Sequence, residues 1–211
     1  SGAMKSDGTP VTAAVRWQVF PDRAALAAHA AELILASARA AIAAHGVFRL
    51  VLAGGRTPLA VYARLASAHA EWPHWHWYFG DERCLPAGDA GRNDTAIRHA
   101  WLDHIAVPPA NIHAIPAELG AQAAARQYDA LLAGLGEFDL VLLGLGEDGH
   151  TASLFPGRPL AADADVLAVH AAPKPPSERV TLSAAHLSRA RQVLFLVTGA
   201  DKRAAVTAWR A

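Results

Sequence analysis

Apolar positions in this chain fall into short runs separated by glycine, proline and polar clusters, and their period changes repeatedly. Val15 to Phe20 alternates apolar and polar residues, which predicts a strand. An alanine-rich segment follows, ending near His45; Asp22 reads as its N-cap and Gly46 as its stop, so a helix is expected between them. Val47 to Ala53 reads as a buried strand with one internal charge, Arg49, and Gly54 and Gly55 break it. Thr57 and Pro58 then open a second helix, with proline near the first helical position. Trp75 to Phe79 predicts another strand, followed by a polar loop through Arg92, and Asn93 can cap a helix reaching about His104.

Ala117 to Leu135 carries a helical pattern, and Asp139 to Leu143 is the clearest strand. Val166 to His170, Arg179 to Leu182 and Gln192 to Val197 are extended in character. Lys174 to Ser177 is a proline-rich connection, Ser183 can start a short helix, and Asp201 to Trp209 looks helical after Gly199. Strands alternating with helices imply an α/β fold with a mainly parallel sheet covered on both faces. No repeat or linker divides the chain, so residues 11–211 read as one domain; Ser1 to Met4 resembles a cloning scar, and residues 1–10 as a whole read as scar and flexible N-terminus.

Composition narrows the function classes. Nineteen basic and nineteen acidic residues give a formal net charge of zero, which argues against a nucleic-acid surface. No unbroken apolar run approaches the roughly 20 residues that span a bilayer, and the N-terminus lacks a secretory pattern, so no membrane partner is expected. Cys84 is the single cysteine, so no intrachain disulfide can form and a cytoplasmic location is the simplest expectation. The pattern specifies no oligomeric state.

Chemistry concentrates where predicted strands end. Glycines in Ala53-Gly-Gly-Arg-Thr-Pro-Leu59 let a ligand approach the backbone, and free amides at the next helix start favour an anion. Gly54, Gly55, Arg56 and Thr57 are thus candidates for phosphate binding, or else a plain βα turn; the Walker lysine is missing. In Gly80-Asp-Glu-Arg83, Arg83 could fix an anionic oxygen and Asp81 could hold a hydroxyl or orient a neighbour, against the alternative of an exposed charged turn. Asp139 to Pro156 ends an apolar run in glycines and delivers Asp148 and His150 within three residues. Gly144, Gly146 and Gly149 formally spell G-x-G-x-x-G, but Pro156 follows too soon for the helix that a dinucleotide fingerprint requires. His150 can take a proton near neutral pH, and Asp148 can orient the ring. Lys202 and Arg179 are each an anion contact or an ordinary surface cation. His74 and His76 would share one strand face, yet no further ligand completes a metal site, and Cys84 has no activating partner.

Together, Leu52 to Pro58, Phe79 to Arg83, Gly144 to Pro156, Glu178 to Leu182 and Thr198 to Lys202 resemble the 6-phosphogluconolactonase family, in the family's order and across most of the chain. The resemblance implies a Rossmann-like sheet related to glucosamine-6-phosphate deaminases. It further implies hydrolysis of 6-phospho-glucono-1,5-lactone in the pentose phosphate pathway, with no cofactor or metal. His150 is then the expected general base, supported by Asp148; Gly54, Gly55, Thr57 and Lys202 belong to the phosphate side, and Arg83 and Arg179 contact phosphate or another substrate oxygen. A deaminase-isomerase is the nearest alternative reaction, and a noncatalytic sugar-phosphate sensor the alternative of another class. The related deaminases resemble this stretch but place a glutamate before the proline, where this chain has Phe155. Family members commonly continue through another strand and helix past the Lys202 segment, so the resemblance implies a chain extending past Ala211.

Overall fold

The computed structural model describes residues 18–146, 148–160 and 164–199. The expected helix after residue 200 and most of the strand expected at Val15 lie outside these residues; Gln18 to Phe20 are not strand.

Helix α1, Arg23–His45, forms where its caps and composition place it. Asp22 Oδ1 accepts from the Ala25 amide (2.8 Å), and Gly46 ends the helix at φ +82°, a conformation glycine adopts without strain. Its buried residues, Ala27, Ala30, Ala31, Ile34, Ala38 and Ala41, repeat at helical spacing. Small side chains let α1 pack closely on strand β1, Phe48–Leu52, and on helix α2, Arg56–Leu65. By length and composition alone α1 could cross a membrane, a property that counting unbroken apolar runs did not single out; here that stripe packs into the core.

Strand β2, Trp75–Phe79, buries Trp75 and Trp77 on one side, as alternation dictates. Their rings join Trp72, Trp101 and Phe48 in one aromatic cluster. His74 lies in a 3-10 turn, Trp72–His74, so the expected pair of strand histidines is not formed. His76 instead meets His113, Nδ1 to Nε2, at 3.0 Å.

The loop expected after Phe79 contains a strand. β3, Asp81–Arg83, is followed by α3, Asn93–Ala100, whose expected extension to His104 is a separate 3-10 turn, Leu102–His104. The helix expected from Ala117 is likewise divided: a 3-10 turn, Ala117–Leu119, precedes α4, Ala121–Leu132, and Gly120 stands between them at φ +90°. Next come β4, Leu140–Gly144, β5, Val166–Val169, and β6, Arg179–Leu182. The chain continues through α5, Ala184–Ser188, capped by the Ser183 hydroxyl, into β7, Gln192–Leu196.

These strands make two sheets. The parallel one has the order β2-β1-β4-β7 and bears out the expected α/β architecture. The second, β3-β6-β5, is antiparallel and was not expected, because its first strand consists of three charged residues that carry no apolar pattern. Gly80 joins the two: its amide donates to the Leu52 carbonyl (3.0 Å), and its own carbonyl accepts from the Leu182 amide (2.8 Å). The carboxyl ends of β1, β4 and β7 therefore open beside the small sheet, where ligands bind in open α/β folds.

Candidate active site

A cavity of about 500 Å³ lies at that junction. It collects Gly54, Gly55, Arg56 and Thr57 after β1, Asp81 and Arg83 from β3, His150 after β4, and Arg179 from β6. Thus the site residues expected from sequence converge, apart from Asp148, which reaches the cavity through His150, and Lys202, which lies outside the described residues.

The β1 side is built from backbone. Tyr62 locks the strand end, its hydroxyl donating to the Ala53 carbonyl (2.8 Å) and accepting from the Ala53 amide (3.0 Å). Gly55 takes φ +105° and ψ 166°, a region essentially closed to other residues, and caps α2 with no side-chain hydrogen bond. The first turn of α2 therefore stands at the cavity, where the free amides of a helix start favour an anion. A Cβ on Gly54 would lie 2.2 Å from Asn93 Oδ1, so the glycine is required by close packing. The Thr57 and Thr198 hydroxyls meet at 2.6 Å and tie the β1 turn to the β7 end.

The β3 side is built from buried charge. Asp81 accepts from Ser153 Oγ (2.6 Å) and from Asn93 Nδ2 (3.2 Å). Glu82, with no exposed surface, accepts from the amides of Arg83 (2.8 Å), Asn93 (2.7 Å) and Asp94 (2.9 Å), so it caps α3 from the neighbouring strand. Burial pushes the Glu82 carboxyl up to about 7 against those hydrogen bonds. Arg83 and Arg179 stand directly opposite each other across β3 and β6, where like charges repel. Arg83 Nη1 donates to the Gly91 carbonyl (2.8 Å), while its buried Nε has no hydrogen-bond partner among the described residues. Arg179 is buried, and burial followed by the Arg83 charge lowers its pKa. Two cations held together in this way favour an anion between them.

The β4 side carries the acid–base pair. After Gly144 the chain turns rather than entering a helix, so the formal glycine fingerprint has no dinucleotide geometry. The Gly146 amide donates to the His150 carbonyl (2.8 Å), and Thr151 Oγ1 donates to the Gly144 carbonyl (2.8 Å). His150 Nδ1 is hydrogen-bonded directly to Asp148 Oδ1. Partial burial would raise the Asp148 carboxyl, but hydrogen bonds from His150 and the charges of His150 and Lys174 outweigh it and hold the group below its ordinary range. An ionised Asp148 only accepts, so Nδ1 carries the proton and Nε2 is left as the base. A Cβ on Gly146 would lie 2.1 Å from His150 Nδ1, so only glycine leaves room for this pair. Phe155 packs against the His150 ring at 4.8 Å between centroids, and the Arg179 guanidinium lies 5.6 Å from the Phe155 centroid.

Sequence reading missed several participants. Asn93 looked like a helix cap but sits inside the site, bonded to Asp81; Ser153, which sequence did not single out, anchors the same carboxylate. Arg23, first in α1, and Lys174 also line the cavity. The sequence signal for Lys174 was slight, one lysine before a proline pair. Cys84 is no nucleophile: burial, then the Glu178 and Glu82 charges, push its thiol up to about 11.

Residues 21–211 match the family described as glucosamine-6-phosphate isomerases/6-phosphogluconolactonase. The human GDH/6PGL endoplasmic bifunctional protein is 41% identical over 187 residues, which cover 82% of this chain. This chain spans only 24% of the length of that relative. A 6-phosphogluconolactonase from a Nostoc species is 36% identical over 198 residues, covering 90% of this chain and 82% of the relative. Among solved structures, 6-phosphogluconolactonase from Thermotoga maritima superposes with a TM-score of 0.81 at 31% identity, covering 86% of this chain and 84% of the other.

Proposed function

The chain belongs to the glucosamine-6-phosphate isomerase/6-phosphogluconolactonase family, and from that premise we propose that it hydrolyses 6-phospho-D-glucono-1,5-lactone to 6-phospho-D-gluconate, a step of the pentose phosphate pathway. The carrying observation is the Asp148–His150 pair in one cavity with a glycine-lined helix start and two facing arginines. In this reading His150 Nε2 removes a proton as water attacks the lactone carbonyl, and Asp148 stabilises the imidazolium that forms. The imidazolium then returns the proton to the departing ring oxygen. The phosphate lies at Gly54, Gly55, Arg56 and Thr57, with Lys202 joining them, while Arg83 and Arg179 supply further positive charge. Asp81, with Asn93 and Ser153 fixing its carboxylate, is placed to accept from a sugar hydroxyl.

Phe155 favours the lactonase over the deaminase. Where the deaminase resemblance calls for a carboxylate, an aromatic ring packs on the base and offers no second proton carrier. A small sugar-phosphate lactone is the partner, and the cytoplasm is where we place the reaction, in keeping with the bacterial relatives and the single cysteine. Freshly generated 6-phosphogluconolactone, with spontaneous opening subtracted, should be consumed rapidly, and glucosamine 6-phosphate should release no ammonia. Ammonia release without lactone turnover would reverse the assignment, and tight binding of the lactone without acceleration would make the protein a sensor.

A further inference from the structure

The loop between β5 and β6 carries a cation that the steps above leave unused. Lys174 lines the same cavity as His150, and its charge acts on Asp148. Its backbone is fixed by a buried arginine: Arg179 Nε donates to the Pro176 carbonyl (3.0 Å), and Nη2 donates to the carbonyls of Lys174 and Pro175 (each 3.2 Å). The Ala172 amide closes the loop on the Ser177 carbonyl (2.9 Å). The Lys174 residue itself is exposed. A held backbone with a long side chain in the open suits a group that reaches a ligand rather than one that packs.

Other cations in the cavity are placed differently. Arg179 spends two of its three nitrogens on this loop, Arg83 is tied to Gly91, and Arg56 stands at the start of α2 beside the glycine turn. Among the described residues, Lys174 is the lysine or arginine whose charge favours the ionised Asp148. Within hydrolysis, the lactone carbonyl is where negative charge develops, and positive groups fixed near that atom act most strongly in the transition state.

We propose that Lys174 is a catalytic residue whose ammonium contacts the lactone carbonyl oxygen as it becomes an oxyanion, and afterwards the carboxylate of the product. This inference rests on the lactonase reading. As the water oxygen bonds to the carbonyl carbon, the π electron pair moves to the carbonyl oxygen and the water proton goes to His150. Lys174 keeps its protons and neutralises the oxygen. Collapse re-forms the carbonyl and breaks the bond to the ring oxygen, which receives the proton from His150.

Lys174→Met and Lys174→Arg test it. In the methionine variant kcat should fall about 10- to 100-fold, with a much smaller change in KM. Inhibition by 6-phosphogluconate should weaken about tenfold while inhibition by glucose 6-phosphate, which has the phosphate but no carboxylate, stays as in the native protein. The acid limb of kcat/KM should move to higher pH, because the Lys174 charge acts on Asp148, the partner of His150, while Asp81, Arg83 and Arg179, which also line the cavity, are unchanged in the variant; a packing role would leave that limb in place. Arginine should restore most of the rate. Native kcat in Lys174→Met, or equal weakening of both inhibitors, would overturn the proposal alone. A native protein with no lactonase activity would overturn the reading beneath it and this inference with it.

Discussion

In the parallel sheet, β1 and β4 bury Leu50, Val51, Leu52, Val141 and Leu142 and offer the cavity only their backbone ends. In the antiparallel sheet, β3 and β6 bury Asp81, Glu82, Arg179 and Thr181 and offer side chains. Burial of apolar strands is favourable and fixes where loops emerge. Burial of charge is costly unless every group is paired or bonded, and the carboxylates of Asp81 and Glu82 meet that condition through Asn93, Ser153 and the α3 amides. Yet the small sheet leaves Arg83 and Arg179 face to face. The first region sets position, and the second holds two cations opposite each other at the cavity, beside the Asp81 carboxylate.

The sharpest test of that division is at the loop where the two regions meet. His150→Ala should lower lactone turnover by about 10²–10⁴-fold, read by stopped-flow on a protein whose thermal unfolding matches the native one. Gly146→Ala should come next, with a loss on the order of tenfold or more, because its methyl group occupies the space of the His150 ring. Gly144→Ala is the control, since a Cβ there has only the Gly54 carbonyl at 3.8 Å. On the charged side, Arg83→Met should raise KM for the phosphorylated lactone about tenfold, as expected for a lost charged hydrogen bond, and should raise the melting temperature by relieving Arg179.

Glu82 gives the comparison a pH dependence. Burial raises its carboxyl from the ordinary 4.5 to about 7, so folding favours the protonated form. The stability this contributes is fully present below pH 4.5 and is lost as pH rises through 7. The stability of the native protein relative to Glu82→Gln, from urea melts, should fall between pH 5 and 8 by on the order of 1–3 kcal/mol. The smallest effect is expected at the exposed His170–Glu178 pair, where His170→Gln should change stability by less than about 1 kcal/mol.

The same contrast explains what was legible in the chain. α1 was readable because Asp22, the alanine stripe and Gly46 all state the helix locally. β1, β2 and β4 were readable from their apolar runs, and the His150 loop from glycines that interrupt one of them. β3 was not, because Asp-Glu-Arg becomes a strand only through pairing with β6, about 100 residues on in sequence. For the same reason Asn93 was read only as a helix cap and Ser153 was not singled out: each is placed by a partner distant in the chain. Lys174 depends on Arg179 for its position, and nothing within its own segment states that contact.

The most direct measurement is a crystal structure with 6-phosphogluconate bound. The carboxylate should lie within hydrogen-bonding distance of His150 Nε2, and the phosphate should rest on the amides and hydroxyl of the Gly54 to Thr57 turn. A ligand bound the other way round, or one whose carboxylate lies beyond reach of His150, would contradict this account.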